Sequence, residues 1–162
     1  MTALRFLVLM VVGGLGLGLS LSLIATPAWP AACKITTTPL TFGNYDMSLM
    51  TARGGTAQVT ITCTNKEVNP ATVQLTLSTG SSMNFGQRSM TGSNGGLPLN
   101  YNIYSNAGLS TVLGDGNGGS TAPTALVYKT LTWIVTLYGS IPPQQSVLVG
   151  SYSDSLIATI LY

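Results

Sequence analysis

In TAQVTITCT, residues 56–64, Val59, Ile61 and Cys63 alternate with Thr60, Thr62 and Thr64. A period of two sends successive side chains to opposite faces of an extended chain, so this segment reads as a strand with one apolar face and one hydroxyl face. The same pattern recurs at 72–78 (TVQLTLS, with Val73, Leu75 and Leu77) and at 99–104, where Leu99, Tyr101 and Ile103 alternate with Asn100, Asn102 and Tyr104. It continues in 129–138 (KTLTWIVTLY) and in 151–162 (SYSDSLIATILY), where Leu156, Ala158, Ile160 and Tyr162 share a face. A further strand is expected after Cys33 in KITTTPLTFGNYD, interrupted at Pro39, with Ile35, Leu40 and Phe42 directed at the core. Beyond residue 32 no stretch repeats at the helical period. Gly114 to Ser120 (GDGNGGS) and the Pro142-Pro143 pair are turn chemistry, and 79–96 (TGSSMNFGQRSMTGSNGG) offers only strand fragments. The fold class is therefore all-β.

The first 32 residues are different in kind. Arg5 is followed by an uncharged apolar run, Phe6 to Ile24, and then by small residues in ATPAWPAA. That order is expected of a secretory signal peptide, with residues 1–32 removed and 33–162 left as one secreted domain. A membrane anchor is the competing reading of the run, and Gly13, Gly14, Gly16 and Gly18 weigh against a permanent helix. Cleavage is expected after Ala28 or Ala32, or earlier after Ser20. No stable membrane span is then expected in the mature protein.

From Lys34 onward the charges are Lys34, Arg53, Lys66, Arg88 and Lys129 against Asp46, Glu67, Asp115 and Asp154, a net +1. So few charges make no footprint for nucleic acid. The chain has no histidine, so a Ser-His-Asp or Cys-His arrangement is excluded, and the four acids form no close pairing in sequence for glycoside hydrolysis. No enzyme activity and no cofactor are expected. Asp115, Gly116, Asn117 and Gly118 read as turn residues; with one carboxylate in a single copy they are a poor calcium loop. Tyr101, Tyr104, Tyr138 and Tyr152 could stack on sugars or could be core and cross-strand residues. Cys33 and Cys63 read as a structural disulfide in an exported chain; a reactive thiol pair is the alternative, although the spacing is not C-x-x-C.

About six substantial strands are legible, against at least seven in an immunoglobulin-type sandwich. Either a strand lies unrecognised in a loop or another chain supplies it. The ordered segments ACKITTTPLTFGNYD, VTITCT, LSTGSSMNFGQRSMTG, LPLNYNIYSNAGLSTVLGDGNGG and YGSIPPQQSVLVGSYSDSLIATILY resemble the spore coat protein U family, which includes secreted pilins of archaic chaperone-usher pili. The last segment is the most specific, and together they cover nearly all of 33–162.

The resemblance implies an incomplete immunoglobulin-like, pilin-type β-sandwich, completed by a donor strand from a periplasmic chaperone and later from a neighbouring subunit. It implies export through an outer-membrane usher to a surface pilus or coat that supports adhesion or biofilm formation. A carbohydrate-binding surface adhesin on the same fold is the alternative. The resemblance also assigns a Cys33–Cys63 bridge between the first two strands. It places the acceptor groove between Ile35, Leu40 and Phe42 on one side and Leu156, Ala158, Ile160 and Tyr162 on the other. Pilins that polymerise carry an extra alternating segment ahead of the first cysteine. Cleavage after Ser20 would leave LSLIATPAW, with Leu21, Leu23 and Ala25 as a short donor, whereas later cleavage would leave a subunit that only accepts.

Overall fold

A computed structural model describes residues 32–65 and 69–162. Residues 1–31 of the expected signal peptide, with the expected donor segment and with Lys66 and Glu67, lie outside the described residues.

Alternation is converted into nine strands: β1 (Ala32–Thr37), β2 (Arg53–Thr64), β3 (Ala71–Leu77), β4 (Arg88–Gly92), β5 (Leu99–Tyr104), β6 (Thr124–Val127), β7 (Thr130–Ile141), β8 (Tyr152–Ser153) and β9 (Ala158–Leu161). They form two sheets, one in the order β1-β2-β7-β5-β4-β8 and the other β6-β3-β9. Every strand pairing is antiparallel. Among the described residues the one helical element is a 3₁₀ turn at Gly80–Ser82.

The sequence reading and the structure differ in three places, each with a local cause. The expected first strand stops at Thr37, because Pro39 has no N–H for the ladder and restricts the residue before it; the Thr38 amide makes the last bond to β2, at 2.9 Å to the Gln58 carbonyl. β6 has only four residues and lacks a clear alternation, so neither the strand nor its pairing with β3 is read from the sequence. The expected terminal strand is two strands in different sheets: β8 pairs with β4, and β9, four residues further on, pairs with β3. The chain crosses from one sheet to the other through residues 154–157.

The core is formed by the faces that the alternation marks. Val59, Ile61 and Cys63 of β2, Val73, Leu75 and Leu77 of β3 and Leu99, Tyr101 and Ile103 of β5 are all buried. Leu113, in the loop before β6, is fully buried as well. So is Arg88. Its guanidinium donates to Asn102 Oδ1 (2.7 Å), twice to the Ser78 carbonyl (3.2 and 2.9 Å) and to the Leu113 carbonyl (2.8 Å), and it lies 5.3 Å from the centre of the Phe85 ring. A buried cation is tolerable only when its donors are engaged in this way. Arg88 thereby ties β4 to β5 and to two loops.

Cys33 and Cys63 stand directly opposite each other in the β1–β2 register and form the disulfide, with their Cα atoms 4.1 Å apart. The bridge fastens an edge strand that has one neighbour to that neighbour, β2, in the larger sheet. With a sequence separation of 30, chain-entropy arithmetic gives about 3–4 kcal/mol of stabilisation. Replacing both cysteines by alanine is expected to lower the urea-derived unfolding free energy by about that amount; an unchanged midpoint would show that the cross-link contributes nothing. Arg88→Ala is expected to cost about 3–5 kcal/mol, because it strands buried acceptors and leaves a void, and an effect under 1 kcal/mol in the same experiment would refute the tie described above.

Candidate functional site

Between the two sheets the core opens to the outside along a groove of about 990 Å³. Its floor is the core itself: Ala57 and Val59 of β2, Leu137 and Ile141 of β7, Leu99, Tyr101 and Ile103 of β5, with Met90 and Leu77. One wall is residues 37–47 and the other is residues 147–154 with Leu156 and Ala158. Such a floor would be sealed in a complete sandwich by another strand.

The first wall is built by a pair of glycines. Gly55 and Gly139 are opposite each other in the β2–β7 register. A methyl on Gly139 would lie 2.7 Å from the Phe42 ring and 2.8 Å from Leu40, and one on Gly55 would lie 2.5 Å from the Thr41 carbonyl oxygen. The bare backbone there lets Leu40 and Phe42 settle onto the sheet, and Phe42 meets Tyr101 edge to face with centroids 5.8 Å apart. Arg53 Nε donates to the Phe42 carbonyl at 2.6 Å. Among the described residues, no backbone-to-backbone hydrogen bond reaches residues 39–45. The stretch 39–45 is therefore held by side chains, and apart from the Phe42 carbonyl its peptide groups remain available.

The first wall is tied at its far end to the loop after β7 by Tyr45, whose hydroxyl donates to the Pro142 carbonyl (3.0 Å) and accepts from the Gln145 amide (2.8 Å). Gln145 in turn pairs its side-chain amide with both backbone groups of Asn100 at 2.8 Å. The second wall is pinned by Asp154. Its Oδ1 accepts from the amides of Ser81 (3.1 Å) and Ser155 (2.9 Å), and its Oδ2 accepts from the Tyr101 hydroxyl (2.8 Å). Burial above all, and then the hydrogen bond and the charge of Asp154, push the Tyr101 phenol well above its usual range. Beyond the wall, β9 is paired by β3 on one side and has no strand on the other among the described residues.

Of the residues assigned to the groove from the sequence, Leu40, Phe42, Leu156 and Ala158 line it. Ile35 and Ile160 pack against the core from β1 and β9 without lining the groove. Tyr162 is 59% exposed past the last residue of β9 and does not line it either. The sugar-stacking reading of the tyrosines fails for Tyr101, which is 4% exposed with its hydroxyl engaged by Asp154. Tyr104 and Tyr138 are register partners on neighbouring strands and only half-buried. Asp115 belongs to a turn, where its Oδ1 accepts from the Asn117 amide at 2.9 Å and Gly116, Gly118 and Gly119 all take positive φ. Sequence reasoning missed Tyr45, Gln145 and the Asp154–Tyr101 pair, whose partners lie 45 to 100 residues away in the chain.

The Spore Coat Protein U domain profile matches residues 20–159. Among solved structures, the chain is similar to the complex of the chaperone CsuC with CsuE, the tip adhesion subunit of the archaic chaperone-usher Csu pili of Acinetobacter baumannii, captured before assembly. The identity is 17% and the TM-score 0.52, over 82% of this chain and 40% of that one. The likeness is one of fold. No curated protein matches the sequence.

Gly139→Ala is expected to destabilise the domain by about 1–3 kcal/mol through overpacking against Phe42 and Leu40, read as a lowered melting midpoint. A neutral result would mean that this wall is not seated on the glycine pair. The raised Tyr101 phenol also carries a pH signature. Its folded pKa exceeds the unfolded value near 10.0, so its contribution is complete below pH 10 and is lost as pH rises above that value. Melting scans should show stability falling above pH 10, with a shallower fall in Tyr101→Phe; equal slopes would sink the assignment.

Proposed function

The chain belongs to the Spore Coat Protein U domain family, and on that premise we propose that it is a structural subunit of a surface pilus or coat, assembled through a chaperone-usher pathway. The observation that carries the reading is the groove whose floor is the core of the sandwich. Burying such a floor with an extended segment stabilises the complex by about 25 cal/mol for each Å² of apolar surface removed from water, and the free peptide groups of the wall and of β9 supply ladder partners. The same open edge would drive aggregation if it were left bare, which is the physical reason for a chaperone to hold the subunit until another subunit replaces it.

In this reading residues 1–32 are the signal peptide and 33–162 the secreted domain. The partners are a periplasmic chaperone, an outer-membrane usher and other pilin subunits, and the destination is the cell surface, where the assembled fibre supports adhesion or biofilm formation. The neighbouring CsuC–CsuE complex supports the partner classes by its composition. The role is structural, with no catalysis assigned to the groove.

The test is electrophoresis of material sheared from native cells, with and without boiling, probed for this protein. Strand-exchanged subunits should run as a ladder or a heavy band that collapses to monomer on boiling. A monomer under both conditions would overturn the proposal. N-terminal sequencing of the boiled band locates the cleavage site and decides whether any donor segment remains ahead of Cys33.

A further inference from the structure

Among the residues that line the groove, two carry charge, Asp46 and Asp154, and both are acidic. Asp46 is fully exposed and closed in a local turn, accepting from the Ser48 amide (2.9 Å) and hydroxyl (2.7 Å). Asp154 is half-buried in the wall and linked to the floor through Tyr101. A carboxylate has about four acceptor positions. Three of those on Asp154 are occupied: two on Oδ1, by Ser81 and Ser155, and one on Oδ2, by Tyr101.

We propose that Asp154 is a specificity determinant of the groove, and that the strand entering it presents a hydrogen-bond donor, best a lysine ammonium, to the remaining position on Asp154 Oδ2. The inference rests on the strand-acceptor reading above and adds the chemistry of the occupant.

The argument is one of desolvation. In the open groove the half-buried Asp154 carboxylate is accessible to water. A strand lying over Tyr101 and Leu156 removes that water, and a carboxylate left short of a donor in a dry site loses more than an ordinary hydrogen bond is worth. An aliphatic residue at that register strands the oxygen, and an acidic one adds like-charge repulsion to the loss. The Arg88 guanidinium attracts Asp154, but four of its five N–H donors are engaged by Ser78, Asn102 and Leu113. It offsets charge without donating to Asp154. Elsewhere the lining is uncharged, so along most of the groove an incoming strand is selected only for apolar side chains at alternate positions. Asp154 is the point at which a polar residue is selected, and hence at which register is set.

The experiment uses the secreted domain and a set of synthetic peptides with apolar residues at alternate positions. Lysine, leucine or glutamate is placed in turn at each groove-facing position, and dissociation constants are measured by calorimetry. At one position lysine should bind about tenfold tighter than leucine, and glutamate weaker still. The lysine-to-glutamate ratio at that position should fall toward unity in Asp154→Asn, a ratio that general weakening of the groove does not change. A second arm needs no variant: the ratio on the native protein should shrink from low to high ionic strength. Peptides that bind with the same ratio in both proteins, or with a ratio indifferent to salt, overturn the role of Asp154 while leaving the strand-acceptor reading intact. If no alternating peptide binds at all, that reading fails and this inference falls with it.

Discussion

The structure depends on one shortage, an unfilled strand position between two sheets that share a core. Val59, Ile103 and Leu77 are buried by the residues around them, yet each also forms part of the groove floor. Area-based accounting makes such a floor costly in water, and unpaired peptide groups beside it template strand addition. Both costs are removed together by one extended segment. Other features of the domain make sense as the means of keeping that position available.

A groove over a hydrophobic core should close on itself unless its walls are held apart. One wall, residues 37–47, is fastened at Cys33 through the disulfide of the preceding strand, seated on the Gly55–Gly139 pair, and tied at its far end by Tyr45 to the loop after β7. The other, the crossover from β8 to β9, is held by Asp154 to β5 and to the 3₁₀ turn. Arg88 fixes that turn's neighbour Ser78 to β5 through Asn102. Apart from the glycine seat, these ties are polar or covalent, so they hold whether or not the apolar floor is covered. They differ in this from the hydrophobic contacts, which strengthen on closure.

Much of this was legible in the sequence because a half-buried strand writes its face in a period of two. The buried faces of β2, β3 and β5 were read residue by residue, and so was the Cys33–Cys63 pairing. Leu40, Phe42, Leu156 and Ala158, four of the seven residues expected at the groove, line it, being apolar groups at alternate positions beside a break or a crossover. The remainder failed for physical reasons. A short edge strand such as β6 has too few residues to show a period. A crossover such as 154–157 preserves the alternation while changing sheet, so Tyr162 was carried onto a wall that the chain has already passed. The polar ties escaped because Tyr45, Gln145 and Asp154 meet partners far away in sequence, and nothing local marks a tyrosine or a glutamine as one that closes a loop.

The scarcity of charge bears on how a partner can be recognised. Long-range steering and interface charge patterns, the usual sources of fast and selective association, have little to act on here. Affinity must then come from the ladder and the apolar floor, both tolerant of sequence and of register as long as the alternation is kept. A sandwich completed in that way would accept any alternating strand, including the wrong part of the right one. Selectivity has to reside in the few polar groups that occupant and groove both bury. The Asp154–Tyr101 pair, set in the wall of an otherwise uncharged channel and directly above the buried core, occupies the position where a single hydrogen bond discriminates most.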